Sequence, residues 1–167
     1  MATAPAPSPD VNVRIDSEAV LREARMAGFA MINSYMRQYQ IIADYLEMKP
    51  AAAVVFLTIL LAGGQRYIRR TPVPDEFRGI TPLPRDEVIP ISRRALAGAT
   101  GLPRETVRRI VAELIASGDV TEVGRDGVIS RFGELLSPRA QRVVELMGAE
   151  YVQTFETLSR LGVLVER

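Results

Sequence analysis

Arg104, Arg108 and Arg109, in the segment RETVRR, are the side chains best placed to do chemistry in this chain. A guanidinium is planar, permanently charged and forked, so it matches two oxygens of a phosphate or the O6 and N7 of a guanine. Glu105 and Thr106 stand between the arginines as polar neighbours. Arg93 and Arg94 precede this group and Arg125 follows it, while Lys49 is the sole lysine. A GC-rich genome would also encode arginine in place of lysine, so the bias alone decides nothing. The absences exclude more. With no cysteine there is no disulfide, thiol switch or thiolate metal site. With no histidine, the usual general base and the commonest transition-metal ligand are missing. Carboxylate or lysine chemistry is not formally excluded, but no paired-carboxylate motif, phosphate loop or Gly-x-Gly-x-x-Gly run occurs. The chain is therefore not expected to be an enzyme, and no metal or cofactor is expected. A net charge of +1 rules out a polyelectrolyte binder and leaves basic character to local patches.

The elements that would hold these arginines lie in residues 91–131, ISRRALAGATGLPRETVRRIVAELIASGDVTEVGRDGVISR. Ser92 is a good N-cap for a first short helix, with Leu96, Ala97 and Thr100 on one face. Gly101 accepts a left-handed backbone where the chain must turn. Leu102 packs under that turn, and Pro103 opens the second helix where its missing N–H does no harm. Val107, Ile110, Val111, Leu114 and Ile115 form the buried stripe of the second helix. Arg104, Glu105, Thr106, Arg108 and Arg109 are left on its outer, N-terminal face. Ser117 and Gly118 stop it. Residues 120–123 and 128–130 read as short strands joined by the turn Gly124-Arg125-Asp126-Gly127.

Small Ala97, the turn glycine Gly101, apolar Leu102, then Val107 and Ile110 resemble the helix-turn-helix of bacterial transcription regulators. That resemblance implies that Pro103 to Arg109 lie in a DNA major groove. The hairpin is then a wing, whose tip residue Arg125 would reach a neighbouring minor groove. Arg93 and Arg94 are expected on phosphates, which position the protein without reading sequence.

Around this segment the chain is less specific. Residues 1–14 are Ala- and Pro-rich and read as a disordered tail without a secretory signal. Residues 15–48 carry a long helix, capped by Asp16 or Ser17. Its apolar or small face runs through Leu21, Ala24, Gly28, Ile32, Tyr35, Tyr39, Ile42 and Leu46. That face covers roughly thirty residues, about 45 Å, too long for one small domain to cover. Tyr35, Tyr39 and Tyr45 fit either an aromatic ligand pocket or half-buried contacts, the latter being commoner. Residues 51–64 are the most apolar stretch, too short for a membrane span, and are read as a core helix beneath the helix-turn-helix. Residues 65–90 form a Pro- and Arg-rich loop, either lying near DNA or a partner subunit, or merely solvated. Ser137 and Pro138 start a last helix with a stripe of Val144, Met147, Tyr151, Phe155, Leu158 and Leu161, ended by Gly162 and an apolar Val163–Val165 tail.

The expected fold is mainly α: a winged helix-turn-helix at residues 49–136 with a small β-hairpin wing, and long N- and C-terminal helices (15–48 and 137–167) for dimerisation. In element order this resembles the MarR family, although the proline-rich loop departs from the usual compact pattern and the wing is short. The resemblance implies a cytoplasmic, homodimeric regulator that binds double-stranded DNA and does not enter a membrane. Two recognition helices would enter successive major grooves roughly one turn apart. A small-molecule effector bound where the dimer helices meet the winged modules would change their spacing, though no residue cluster names one. Two other readings stay open: a winged helix used only for protein contacts, and a small enzyme using Arg and Glu between the long helices.

Overall fold

The computed structural model describes residues 13–68, 88–131 and 137–166. The chain is mainly helical, with one two-stranded and one three-stranded antiparallel sheet. It divides into two compact units, one formed by residues up to Ile41 together with those from Glu145, the other by Ile42–Val144. Among the described residues no single helix is long and apolar enough to cross a membrane.

In the first unit, strand β1 (Val13–Ile15) pairs antiparallel with β5 (Leu164–Glu166), Arg14 facing Val165. This corrects the expected tail, since Val13 and Arg14 are ordered by that ladder. Residues 1–12 lie outside the described residues. The apolar C-terminal segment thus finds its partner in the same chain, with Val163 buried and its carbonyl accepting from the Asp16 amide at 3.0 Å. Gly162, at φ 70°, makes the left-handed exit from the preceding helix.

The expected single N-terminal helix is two helices, α1 (Ser17–Arg22) and α2 (Ala24–Leu46), separated by a break at Glu23 (φ −103°, ψ 16°). Ala19 and Ala27 both join Leu158 and Val163 in this unit's core. They stand about 80° apart in direction, within one apolar stripe, and the helical hydrogen bonds Glu23 N to Ala19 O and Ala27 N to Glu23 O, 2.8 and 2.9 Å, carry the chain across the break. Asp16 caps α1, its Oδ1 accepting from the amides of Glu18 and Ala19 at 3.0 and 2.9 Å. The Ala19 amide in particular holds the Asp16 carboxyl below its ordinary value. A depressed carboxylate stabilises the fold above its unfolded pKa, and that contribution is lost as pH falls through the folded value. Asp16→Asn is therefore expected to flatten the acid limb of stability below about pH 3.9, measured as unfolding midpoint against pH.

Of the large residues of the expected N-terminal face, Ile42 and Leu46 are half-buried and Leu46 packs on the core, but those nearer the start are exposed. Ala27 and Ser34 are buried, whereas Leu21 of α1 and Ile32 and Tyr35 of α2 are exposed at 81, 62 and 70%. The final helix, α6 (Pro138–Arg160), departs from its expected stripe in the same way. Leu158 is buried, but Val144, Tyr151 and Phe155 are exposed, and Glu150 takes an inward position instead. A carboxylate is tolerated there because Arg37 Nε lies 3.0 Å from its Oε2.

The second unit is built on α3 (Pro50–Ile68), which begins with proline at its first position. α3 runs past Gly63 and Gly64, so the proline-rich loop does not begin at residue 65. A helical glycine costs about 1 kcal/mol relative to alanine, which is too little to end a helix anchored by neighbouring core residues. The rest of that loop, residues 69–87, lies outside the described residues. Val55, Phe56 and Ile59 of α3 share one core with Leu96 and Ala97 of α4 (Arg93–Thr100) and with Val107, Ile110, Val111 and Leu114 of α5 (Arg104–Ser117). α3 is thus the core helix expected beneath the helical hairpin.

The core is closed by Val120 of β3 (Val120–Val123) and Val128 of β4 (Gly127–Ser130). β4 is the central strand of the three, flanked by β3 and by β2 (Ile91–Ser92), whose Ser92 faces Gly127. β2 was not legible as a strand, being only two residues long and preceded by proline. Gly127 is required by close approach: a Cβ there would lie 2.8 Å from both Pro90 Cβ and the Val123 carbonyl oxygen. Gly127→Ala is expected to destabilise the protein by about 1–3 kcal/mol, the usual cost of forced overpacking, read as a lower denaturant midpoint.

Candidate nucleic-acid interface

The arginine-bearing helix is positioned by a corner whose hydrogen bonds are all local. Ser92 Oγ accepts from the Ala95 amide at 3.2 Å and caps α4. Gly101 is left-handed (φ 69°, ψ 4°), and its amide donates to the Ala97 carbonyl at 3.1 Å. Thr100 Oγ1 donates to the Leu96 carbonyl at 2.7 Å and accepts from the Leu102 amide at 3.4 Å. Leu102 packs against the core from below. Pro103 is the N-cap of α5, one position earlier than expected, because Arg104 is the first residue with helical geometry. No side chain caps that end, and Glu105 lies in the first turn, where a negative charge favours the helix dipole.

Burial of Val107, Ile110, Val111 and Leu114 fixes the rotation of α5 about its axis. Pro103, Arg104, Glu105, Arg108 and Arg109 are consequently exposed, and Thr106 is half-buried. Arg108 is not free. Its Nε donates to Glu105 Oε2 at 2.9 Å and its Nη2 to Oε1 at 2.5 Å, a side-on fork three residues apart on one helix. Hydrogen bonds from Arg108 hold the Glu105 carboxyl below its ordinary value, and the same bonds raise Arg108. Arg109 Nη1 donates to Glu113 Oε1 at 2.9 Å.

Arg93 is turned away from α5. Its guanidinium pairs with Glu122 of β3 and lies 3.5 Å from Asp126 in the hairpin turn, tying the start of α4 to the hairpin. A half-buried arginine already shared between two carboxylates is a poorer phosphate ligand than its neighbour Arg94, which is exposed. Arg125 is exposed in the turn, where Gly124 supplies the left-handed residue at φ 65°. Among the described residues Arg94, Arg104 and Arg125 carry no ion pair.

Three acids absent from the sequence expectation, Glu113, Glu122 and Asp126, are therefore neighbours of the arginines. The first was visible as the residue four after Arg109. The other two were not, because only strand pairing brings them to Arg93. Tyr35 and Tyr39 are exposed in the first unit, and Tyr45 of the second lies under Arg139, 5.4 Å from its guanidinium. No group of three or more Asp or Glu among the described residues could hold a metal ion.

No family model, curated protein or solved structure matches the chain.

Proposed function

We propose that this protein is a sequence-specific, DNA-binding transcription regulator acting as a homodimer. Residues of the second unit form its winged helix-turn-helix, and its element order is MarR-like. One observation carries the reading: α5 buries an unbroken aliphatic stripe and leaves Arg104, Arg108 and Arg109 together on its outer, leading face. Such a helix end is shaped for a major groove, in which arginine makes the commonest specific contact. Arg94, Arg104 and Arg125, which carry no ion pair among the described residues, are the residues for phosphates, and Arg125 is carried on the wing. Arg93 serves the wing itself, by holding it to α4.

Homodimerisation is supported by the first unit. Met26, Phe29, Met31, Ile32, Tyr35 and Met36 are all exposed along α2. Of these, Met26 and Phe29, with Ala30, line one side of an open cleft of about 440 Å³ that also includes Thr157, Arg160 and Leu161. From Met26 to Gln40 the only charged residue is Arg37, which Glu150 already neutralises. A large apolar face without net charge does not repel its own copy, which is the requirement for a two-fold interface. A second copy of the chain is its occupant in this proposal.

Selection of bound duplexes from a random DNA pool tests the reading. The expected product is a two-fold repeated site with half-sites about 10–10.5 base pairs apart, or a multiple of that. A pool that returns no preferred sequence rejects it. The acids beside the arginines favour one competing reading, a winged helix used for protein contacts alone. That module would not bind DNA even at low salt, whereas phosphate binding appears there and weakens steeply as salt rises.

A further inference from the structure

We infer that Glu105 is the positioning residue for Arg108, and that the pair reads a guanine in the half-site as one unit. This rests on the DNA-binding reading above and adds the base and the device that recognises it. A guanidinium has two edges that can donate two parallel hydrogen bonds. Glu105 occupies the side edge, made of Nε and Nη2. Among the described residues the end edge, made of Nη1 and the second Nη2 hydrogen, has no partner. It is this end edge that fits O6 and N7 of guanine.

The arrangement has two consequences. An arginine on an exposed helix loses much side-chain freedom when it binds, and the carboxylate fixes the guanidinium plane beforehand. Glu105 also places a negative charge beside Arg108, which disfavours collapse of that arginine onto the DNA backbone. Arg104, next to Glu105 in sequence but without an ion pair among the described residues, keeps its freedom for phosphate. The other paired arginine, Arg109, meets Glu113 through a single Nη1 bond, so its plane is not held in the same way. Arg108 is therefore distinguished from both neighbours by a two-point hold. Its partner lies within the same first turns of α5, at the end offered to the groove.

The test is a double-mutant cycle on base preference in the full chain. Wild type, Glu105→Ala, Arg108→Ala and the double variant are titrated with the duplex obtained by selection, and with duplexes carrying the other three base pairs at each half-site position. Arg108→Ala should erase a guanine preference at one position. Glu105→Ala should weaken the preference at that same position roughly tenfold, while raising affinity for unrelated duplex several-fold at low salt. In the Arg108→Ala background Glu105→Ala should change no base preference. Glu105→Gln, which keeps one acceptor oxygen, should fall between wild type and Glu105→Ala. Glu105→Ala with an unchanged guanine preference overturns the inference while leaving the DNA-binding reading intact. So does a loss of preference at a different base pair that persists without Arg108, since Glu105 would then be reading cytosine directly. A wild-type chain that selects no sequence removes the DNA-binding reading, and this inference with it.

Discussion

Arg108→Ala combined with Arg109→Ala is expected to abolish sequence-selective DNA binding and leave the folded chain unchanged. Both side chains project from the solvent face of α5, 66 and 62% exposed, and neither touches the core made by Val107, Ile110, Val111 and Leu114. Their partners Glu105 and Glu113 are exposed acids, so truncation leaves no buried charge behind. The unfolding midpoint should therefore stay where it is. Binding should not. Specific sites are typically held about 10³–10⁷ times more tightly than random sequence, and base contacts supply that ratio. Without the two guanidinium groups the ratio should fall towards one. Residual binding should remain strongly salt-dependent, because Arg94, Arg104 and Arg125 still meet phosphates. Competition between the selected duplex and random duplex, at one salt concentration, measures it directly. If the double variant keeps the wild-type preference, α5 is not the reading surface.

Phe29→Glu combined with Ile32→Glu should convert a dimer into a monomer. The two side chains are 64 and 62% exposed in the single chain, so the substitution leaves the chain's own core intact. In the proposed interface they would bury four carboxylates, two from each copy, without partners, a penalty no apolar contact nearby could offset. Sedimentation should show the mass halve. Apparent DNA affinity should fall by about 10²–10⁴, since each head then binds alone and the gain from linking two sites disappears. A dimer that survives the substitution places the interface elsewhere. A monomer that retains full affinity removes the need for two heads.

The helical hairpin was legible because its signals are local. Ser92, Gly101 and Gly118 mark helix ends through backbone geometry that depends on a few neighbouring residues, and all three do so here. The stripe on α5 follows from a single helical period. On α2 and α6 the same kind of reasoning held only in part: Leu46 and Leu158 of the expected stripes pack on the two cores, while Ile32, Tyr35, Tyr151 and Phe155 of the same stripes are exposed. Phe155 and Leu158 belong to one stripe, yet only Leu158 is buried, and Ala27, outside the stripe expected on α2, is buried while Tyr35 within it is exposed. Periodicity marks a residue as apolar on a face, but how much of that face is covered depends on what else folds against it.

The sequence by itself determined the corner, the outward arginines of α5, the turn of the hairpin and the absence of histidine and cysteine chemistry. Each is a matter of residue type, or of contacts within a turn or two of chain. Only the tertiary structure decided that Arg93 serves the hairpin and not the solvent, that Gly127 must stay bare beneath Pro90, and that β1 and β5 tie together two ends of the chain. Those pairings join residues from 29 to over 150 positions apart. The free energy that selects them comes from burying many side chains at once, which no local pattern encodes.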